Sequence, residues 1–383
     1  MINRIVVVAD AAFPSKMGGV EKWLHHLALA FNALEVEVVY LNNLNQSSNY
    51  EKLSYVSFKN KFNFNSKSNN RSIFSILHFT IFVSHWLYKN SRKGDIVYVH
   101  QTPLIPIIAV KIVSYFKKFQ IINEWIEIWS FKNWRNEVGL VSGLFGYLFQ
   151  SLGIKLSQNI ITASNSVFDY FMKFFANKSV TKISGQYVHK MPVLSFEFLT
   201  SRKNGDSYLV ISRFSKEKNV DLALILFANI LQFKKNSFLT LVGDGVEFEN
   251  LLILAEKLNI TRNIKFINNL SEDELNKLYL NSKFLIHLSR REGFGLVVGE
   301  AASYGVVPIV LQSPDNESIN RCKHFGLIFN SFDSKIMSDV ILKSDYNSLS
   351  KSAFDYFQHN LSLENVDFAA KQIMDFAKTI MRH

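Results

Sequence analysis

Two carboxylates and two cations stand where they would hold a phosphorylated, hydroxyl-bearing ligand. Glu292 and Glu300 both lie in the run 284–310, FLIHLSRREGFGLVVGEAASYGVVPIV. Glu292 sits in the loop SRREGFG, which carries two arginines, one acid and two glycines, and Glu300 lies just over one turn inside the helix predicted for 296–304. Amides at such a helix start are free and partly positive, which suits a phosphate. One carboxylate can face the mouth of the loop while the other accepts hydrogen bonds from ligand hydroxyls. Arg213 and Lys218 flank a second turn, just before a helix predicted from Asn219. Two cations there add formal charge to the helix dipole and would clamp a diphosphate. His100 ends a strand ahead of Pro103, at an edge where parallel sheets bind ligands. Gly18 and Gly19 precede the first helix and let a backbone come close to a ligand. This chemistry is that of a nucleotide or sugar-phosphate site. The plainer alternative is a βαβ unit with an acidic helix cap and a pair of solvated surface cations.

The elements that must position these residues alternate. Short β-branched runs at 2–8, 36–41, 95–99, 119–122 and 159–162 predict buried strands. Helices are expected at 20–32, 73–89, after Pro103, at 137–157 and at 164–175, the last capped by Ser164. The part of 52–94 before the aromatic helix, rich in Asn, Ser and Lys, reads as loop. Residues 185–206 carry Gly185, Pro192 and the polar run SRKNGD, and after them the alternation restarts. Strands are then expected at 208–212, 238–242, 264–267, 284–288, 306–310 and 326–329, and Ser271 with Glu274 forms a capping box. The order predicts two doubly wound parallel sheets. Domain boundaries are expected at 1–186, a linker 187–206, and 207–383, with the last helix packing back on the first domain.

Composition narrows the partners. A chain of 383 residues exceeds what one core usually organises. The single Cys322 excludes an intramolecular disulfide and a cysteine-built metal site and fits a reducing cytoplasm. No N-terminal signal peptide is visible, and the apolar runs 73–88 and 103–116 are too short to span a bilayer. Residues 1–190 hold 21 Lys+Arg against 10 Asp+Glu and all five Trp, whereas 191–383 hold 22 against 22. The first half therefore meets something anionic. No nucleic-acid motif is present, and an anionic membrane surface or lipid-phosphate substrate suits a basic, aromatic half. From Lys52 to Gly94 there are eight cations and no acid, interleaved with aromatic residues, which makes 52–94 the expected membrane contact.

The run Glu292 to Glu300 resembles the E-x7-E signature of retaining glycosyltransferases of the GT-B fold, glycosyltransferase family four (glycosyl transferases group 1). The stretch ISRFSKEKNVDLAL resembles that family's second signature, Gly243-Asp244-Gly245 matches it after the next strand, and Gly18 to Glu21 resembles its first loop. The resemblance implies two Rossmann-like domains facing a central cleft. It implies that Glu300 holds the donor ribose, that Glu292, Gly293 and the amides at Phe294, Gly295 and Leu296 lie at the donor, and that His100 stands near the donor sugar. It further implies that Arg213 and Lys218 stabilise the departing nucleoside diphosphate, with Gly18, Gly19, Gly243 and Asp244 lining the donor. The activity implied is retaining sugar transfer from a UDP- or GDP-sugar to a lipid-linked or cell-envelope oligosaccharide, at the inner face of the cell membrane. No acid-x-acid triplet is read at a strand end, so the cations replace Mg²⁺, and neither metal nor cofactor is expected. Two departures stand out: LQSPDNES replaces the glycine-rich turn after Val310, and Ser184-Gly185-Gln186-Tyr187 replaces an Asn-Gly-Val-Asp run. A nucleotide-sugar epimerase on the same fold, or a catalytically silent nucleotide-binding scaffold, are the rival readings. Glu124 and Glu127 either orient an acceptor hydroxyl or are solvated, and His25, His26, His78, His85 and His287 read as packing or surface residues.

Overall fold

A computed structural model describes residues 2–10, 19–43, 48–50, 53–58, 73–184, 195–202, 205–268, 270–363 and 365–382. Gly18, Lys52, Lys59, Lys61, Lys67 and Arg71 lie outside the described residues. The chain forms two compact units, one holding the described residues up to 184 together with 365–382, the other those within 195–363. Each is built on its own parallel sheet.

The first unit opens with β1 (Arg4–Val8), α1 (Gly19–Ala33), β2 (Glu37–Asn42), β3 (Ser48–Tyr50) and β4 (Leu53–Ser57). It continues through α2 (Ile73–Asn90), β5 (Ile96–His100), α3 (Ile105–Phe116), β6 (Gln120–Glu124), α4 (Phe131–Val138), α5 (Leu140–Leu156), β7 (Asn159–Thr162), α6 (Asn165–Phe174) and β8 (Ser179–Lys182). The sheet order is β3-β4-β2-β1-β5-β6-β7-β8, parallel except for the β3–β4 pair. Strands β1 and β5 are buried throughout, as β-branched runs covered on both faces must be. Arg4 at the start of β1 donates to both Asp95 oxygens, at 3.0 and 2.6 Å, which ties the amino ends of β1 and β5 together.

The second unit comprises α7 (Phe196–Arg202), β9 (Ser207–Ile211), α8 (Val220–Phe233), β10 (Phe238–Val242), α9 (Phe248–Lys257), β11 (Ile264–Ile267), α10 (Glu272–Asn281) and β12 (Phe284–His287). Then follow β13 (Arg291–Glu292), α11 (Leu296–Ser303), β14 (Val307–Leu311), β15 (Asp315–Asn316), α12 (Ser318–Cys322), β16 (Leu327–Phe329), α13 (Ser334–Lys343) and α14 (Tyr346–His359). Its sheet runs β11-β10-β9-β12-β14-β16, all parallel, with a small β13–β15 ladder apart from it. The last helix, α15 (Val366–Ile380), belongs to the first unit and packs on α1.

Several elements depart from the sequence reading. The helix expected over 137–157 is two helices, because Gly139 takes φ +87° and ends α4. The two then pack closely: a Cβ on Gly146 would meet the Trp134 ring at 2.4 Å, so only glycine admits that contact. Strand β4 lies in the stretch read as loop, and α7 lies in the stretch read as a linker. Among the described residues, no helix is long and apolar enough to cross a membrane.

Candidate donor site and a buried histidine–glutamate pair

In the second unit the polar residues gather at the carboxyl ends of β9, β10 and β12. The loop after β9 carries Arg213 and a short 3-10 turn, Lys216–Lys218, that leads into α8. Asn219 opens α8 at φ +49°, a left-handed conformation, and its side chain donates to the Leu288 carbonyl at 2.9 Å. That bond ties the start of α8 to the end of β12 and delivers Lys218 to Glu292. The Lys218 ammonium donates to Glu292 Oε2 at 2.8 Å and to the Arg291 carbonyl at 3.3 Å. Glu292 Oε1 accepts the Gly295 amide at 3.2 Å, and His287 Nε2 lies 3.6 Å from Oε2.

Burial by itself would raise the Glu292 pKa, but Lys218, His287 and the Gly295 amide outweigh it and hold the carboxyl at about 2. Burial lowers His287 to about 4, with Glu292 opposing and Lys218 assisting. At neutral pH Glu292 is therefore a carboxylate and His287 a neutral imidazole. Glu292 can accept hydrogen bonds from hydroxyls, and Lys218 can attract an anion. His287, expected as a packing or surface residue, is buried, and its ring also lies against Glu292. Its signal was present, a histidine closing an apolar strand as His100 does.

Arg213 is 63% exposed and reaches Glu217 Oε1 at 3.5 Å. Glu217 is buried, takes the Ser215 hydroxyl at 2.6 Å, and has a lowered pKa, since Ser215 and the two cations overcome its burial. Each expected diphosphate cation thus rests on its own carboxylate. The sequence reading did not single out Glu217.

Gly243-Asp244-Gly245 folds back on the Arg213 loop. Phe214 donates its amide to the Asp244 carbonyl at 2.8 Å, and a Cβ on Gly243 would stand 1.8 Å from the Ser212 carbonyl oxygen. Glycine there lets the loops after β9 and β10 touch. Gly295, at φ +76°, starts α11, and a Cβ on it would meet the Ser318 side chain at 2.5 Å. Its amide is already occupied by Glu292, so it does not offer the vacant donor that the loop pattern suggested. Gly293 and Phe294 are buried, Leu296 opens α11, and Arg321 caps the Phe294 carbonyl at 2.9 Å while stacking on its ring. Glu300 accepts the Tyr279 hydroxyl at 2.8 Å, and Tyr279 stacks on Tyr304.

The stretch LQSPDNES builds β15 instead of a glycine turn. Asn316 donates to the Ser289 carbonyl at 2.8 Å and accepts the Ser318 amide, while Glu317 donates its amide to the Glu292 carbonyl at 2.9 Å. Asp315 and Glu317 are spaced acid-x-acid, but β15 is a two-residue strand of the small ladder and not of the main sheet. Among the described residues, no three His, Cys, Asp or Glu side chains are grouped to hold a metal.

The first unit carries its own polar cluster at the carboxyl edge of its own sheet. His100 and Glu124 close β5 and β6 and are partners in the parallel register. His100 Nδ1 lies 2.8 Å from Glu124 Oε2, and Trp23 on α1 donates to Oε1 at 2.7 Å. Glu124 is fully buried, so it is neither solvated nor placed to meet an acceptor itself. Glu127 accepts the Trp129 indole N–H at 2.5 Å. Gly19 is the first residue of α1. His25 is buried with Nδ1 2.6 Å from the Tyr55 hydroxyl. A cavity of about 430 Å³ lined by Lys111, Gln120 and Asn159 lies at the opposite, amino edge of this sheet, away from His100.

Residues 195–344 match the family model "Glycosyl transferases group 1". The chain is 27% identical over 157 residues to the alpha-monoglucosyldiacylglycerol synthase of Streptococcus pneumoniae, covering 40% of this chain and 36% of that protein. It is 35% identical over 114 residues to the N-acetyl-alpha-D-glucosaminyl L-malate synthase of Bacillus anthracis, covering 27% and 29%. The matches thus span about a third of the length of these curated relatives. Among solved structures, the sucrose-phosphate synthase of Thermosynechococcus elongatus superposes with a TM-score of 0.80 at 13% identity, over 99% of both chains. WaaG, a glycosyltransferase involved in lipopolysaccharide biosynthesis, superposes at 0.71 and 14% identity, over 97% of this chain and 99% of that one. The fold is that of these two-sheet α/β proteins.

Proposed function

We propose that this chain, whose residues 195–344 belong with the glycosyl transferases group 1, moves a sugar from a nucleotide-sugar to a lipid-linked or cell-envelope acceptor. The observation that carries the reading is the Lys218–Glu292 pair, 2.8 Å apart, at the start of α8 and beside the start of α11 within the matched segment. A diphosphate entering there exchanges the carboxylate for its own oxygens on Lys218 and Arg213, and the freed Glu292 takes sugar hydroxyls. Glu300 takes the ribose hydroxyls of the donor. As the sugar–diphosphate bond breaks, negative charge grows on the departing diphosphate, and two fixed cations offset it at the moment of reaction. We assign His100 to the reacting sugar, with transfer that retains configuration and needs no divalent metal. The names of two similar proteins, an alpha-monoglucosyldiacylglycerol synthase and a GDP-mannose:cellobiosyl-diphosphopolyprenol alpha-mannosyltransferase, support a lipid-linked acceptor.

The test is turnover of UDP- and GDP-sugars with a polyprenyl-diphosphate or diacylglycerol acceptor in EDTA, with the product anomer read by NMR. Release of nucleoside diphosphate with a retained anomer is expected. Donor consumption without acceptor, giving an isomerised nucleotide-sugar, would replace this reading with epimerisation. Binding with no consumption of any donor would leave a scaffold.

A further inference from the structure

We propose that the outer face of α2, α3 and α5 in the first unit docks on an anionic lipid bilayer, an assignment that rests on the lipid-linked acceptor proposed above. The connections β4 to β5, β5 to β6 and β6 to β7 all step the same way across the sheet. Right-handed crossovers therefore lay α2, α3 and α5 on one side of it, while α1 steps the other way. Helix α3 packs against both α2 and α5, so the three form one surface.

A helix covering a sheet needs one apolar stripe. These helices spend theirs inward, through residues such as Phe79, Val83, Val110 and Ile154 in the core. Their outward side is apolar as well. Ile81 on α2 is 67% exposed, Phe116 on α3 is 72%, and Val141 on α5 is 68%, with Phe145 and Leu148 beside it also exposed. An apolar face of this breadth marks an interaction surface.

Charge decides the occupant. Helices α2, α3 and α5 contain no Asp or Glu. Lys89, Lys111 and Lys155 lie within them, and Lys117 and Lys118 follow α3 directly. The Lys111 ammonium stands 5.2 Å from the Tyr115 ring, and the Lys117 ammonium 4.8 Å from the Tyr88 ring on the neighbouring helix. Cations beside exposed aromatic rings suit the headgroup region of a bilayer, where the rings enter the interface and the ammoniums meet phosphate. A second copy of the same face would set cation against cation across a two-fold axis. The surface assigned here includes the helical part of 52–94 but centres on α3 and α5, which the charge count over 52–94 did not reach.

Sedimentation with vesicles of phosphatidylcholine alone, and with phosphatidylglycerol added, tests the assignment. Wild-type protein is expected to pellet with the anionic vesicles only. Val141→Glu/Phe145→Glu/Leu148→Glu and Lys111→Glu/Lys117→Glu/Lys118→Glu are each expected to weaken binding by about tenfold or more. The milder Phe116→Ser/Phe145→Ser, at exposed sites, keeps the measurement interpretable if a triple variant misfolds, and circular dichroism checks all three. Equal binding to neutral vesicles, undiminished binding by folded variants, or a vesicle-free dimer broken by the same substitutions would overturn it. Donor turnover on a water-soluble acceptor separates the two readings. A chain that turns over donor but ignores vesicles keeps the enzyme and loses the surface; one that binds vesicles but consumes no donor does the reverse.

Discussion

His100 and Glu124 sit side by side on adjacent parallel strands, with the imidazole Nδ1 2.8 Å from a carboxylate that has no exposure to solvent. With the carboxylate accepting, Nδ1 is the donor of this bond. Glu124 thereby orients the His100 ring, and Trp23 fixes Glu124 in turn.

Glu124→Gln keeps the shape but offers an amide where an acceptor stood. Turnover is expected to fall by about 10–100-fold and the pH–rate profile to shift, because the His100 ring orientation is no longer imposed. Donor affinity by calorimetry is expected to stay near wild type. A variant with wild-type turnover and an unmoved profile would mean that Glu124 serves packing alone.

Lys218 and Arg213 lie on Glu292 and Glu217 in the resting protein. Lys218→Ala and Arg213→Ala are each expected to lower turnover at saturating donor more than they lower donor binding, since their charge matters most as the diphosphate leaves. Steady-state kinetics in EDTA measures this. Wild-type turnover in both variants would remove the metal-free mechanism.

Glu300 accepts from Tyr279 through Oε2, which orients its carboxylate on α11. Glu300→Ala is expected to weaken donor binding by about 1.5–3 kcal/mol, the range for hydrogen bonds to a charged group. Tyr279→Phe is expected to cost less, because the carboxylate remains and only its orientation loosens. Calorimetry with the nucleotide-sugar decides both, and an unchanged affinity for Glu300→Ala sinks the ribose assignment.

Acid is expected to weaken the fold through two residues that titrate in sequence. His287 is held down to about 4, chiefly by burial, whereas an unfolded histidine titrates near about 6.5. Between those values the unfolded chain binds a proton that the folded one refuses, so stability falls as pH falls through that window. Glu292, held at about 2, adds a second loss between about 4.5 and 2 in the same direction. His287→Gln is expected to flatten the first decline. Urea midpoints from pH 7 to 4.5 read it, and an equally steep decline in the variant would refute the role of His287.

Local patterns carried much of this protein. The buried strands β1, β5, β9 and β12 are continuous apolar runs, and the Ser164 cap and the Ser271–Glu274 capping box form as their spacing predicts. Those features depend on residues within a turn or two of each other, which is the reach of backbone propensity. The break between α4 and α5 was harder to read. Gly139 takes the positive φ that ends α4, and Gly143 and Gly146 let α5 pack against Trp134 and Arg135, a contact between helices.

Two parallel α/β units were legible in the chain, as were the loops at strand ends that carry Arg213, Lys218 and Glu292 and the helix that carries Glu300. Strand type follows from unbroken hydrophobic runs, and a parallel sheet sends its loops to one edge. The pairing of side chains came from packing across the sheets. His100 meets Glu124 through strand register, Lys218 meets Glu292 through the Asn219 tie between α8 and β12, and His287 joins them by burial. Such pairs lie 24 and 74 positions apart in the chain, and no local preference acts over that distance.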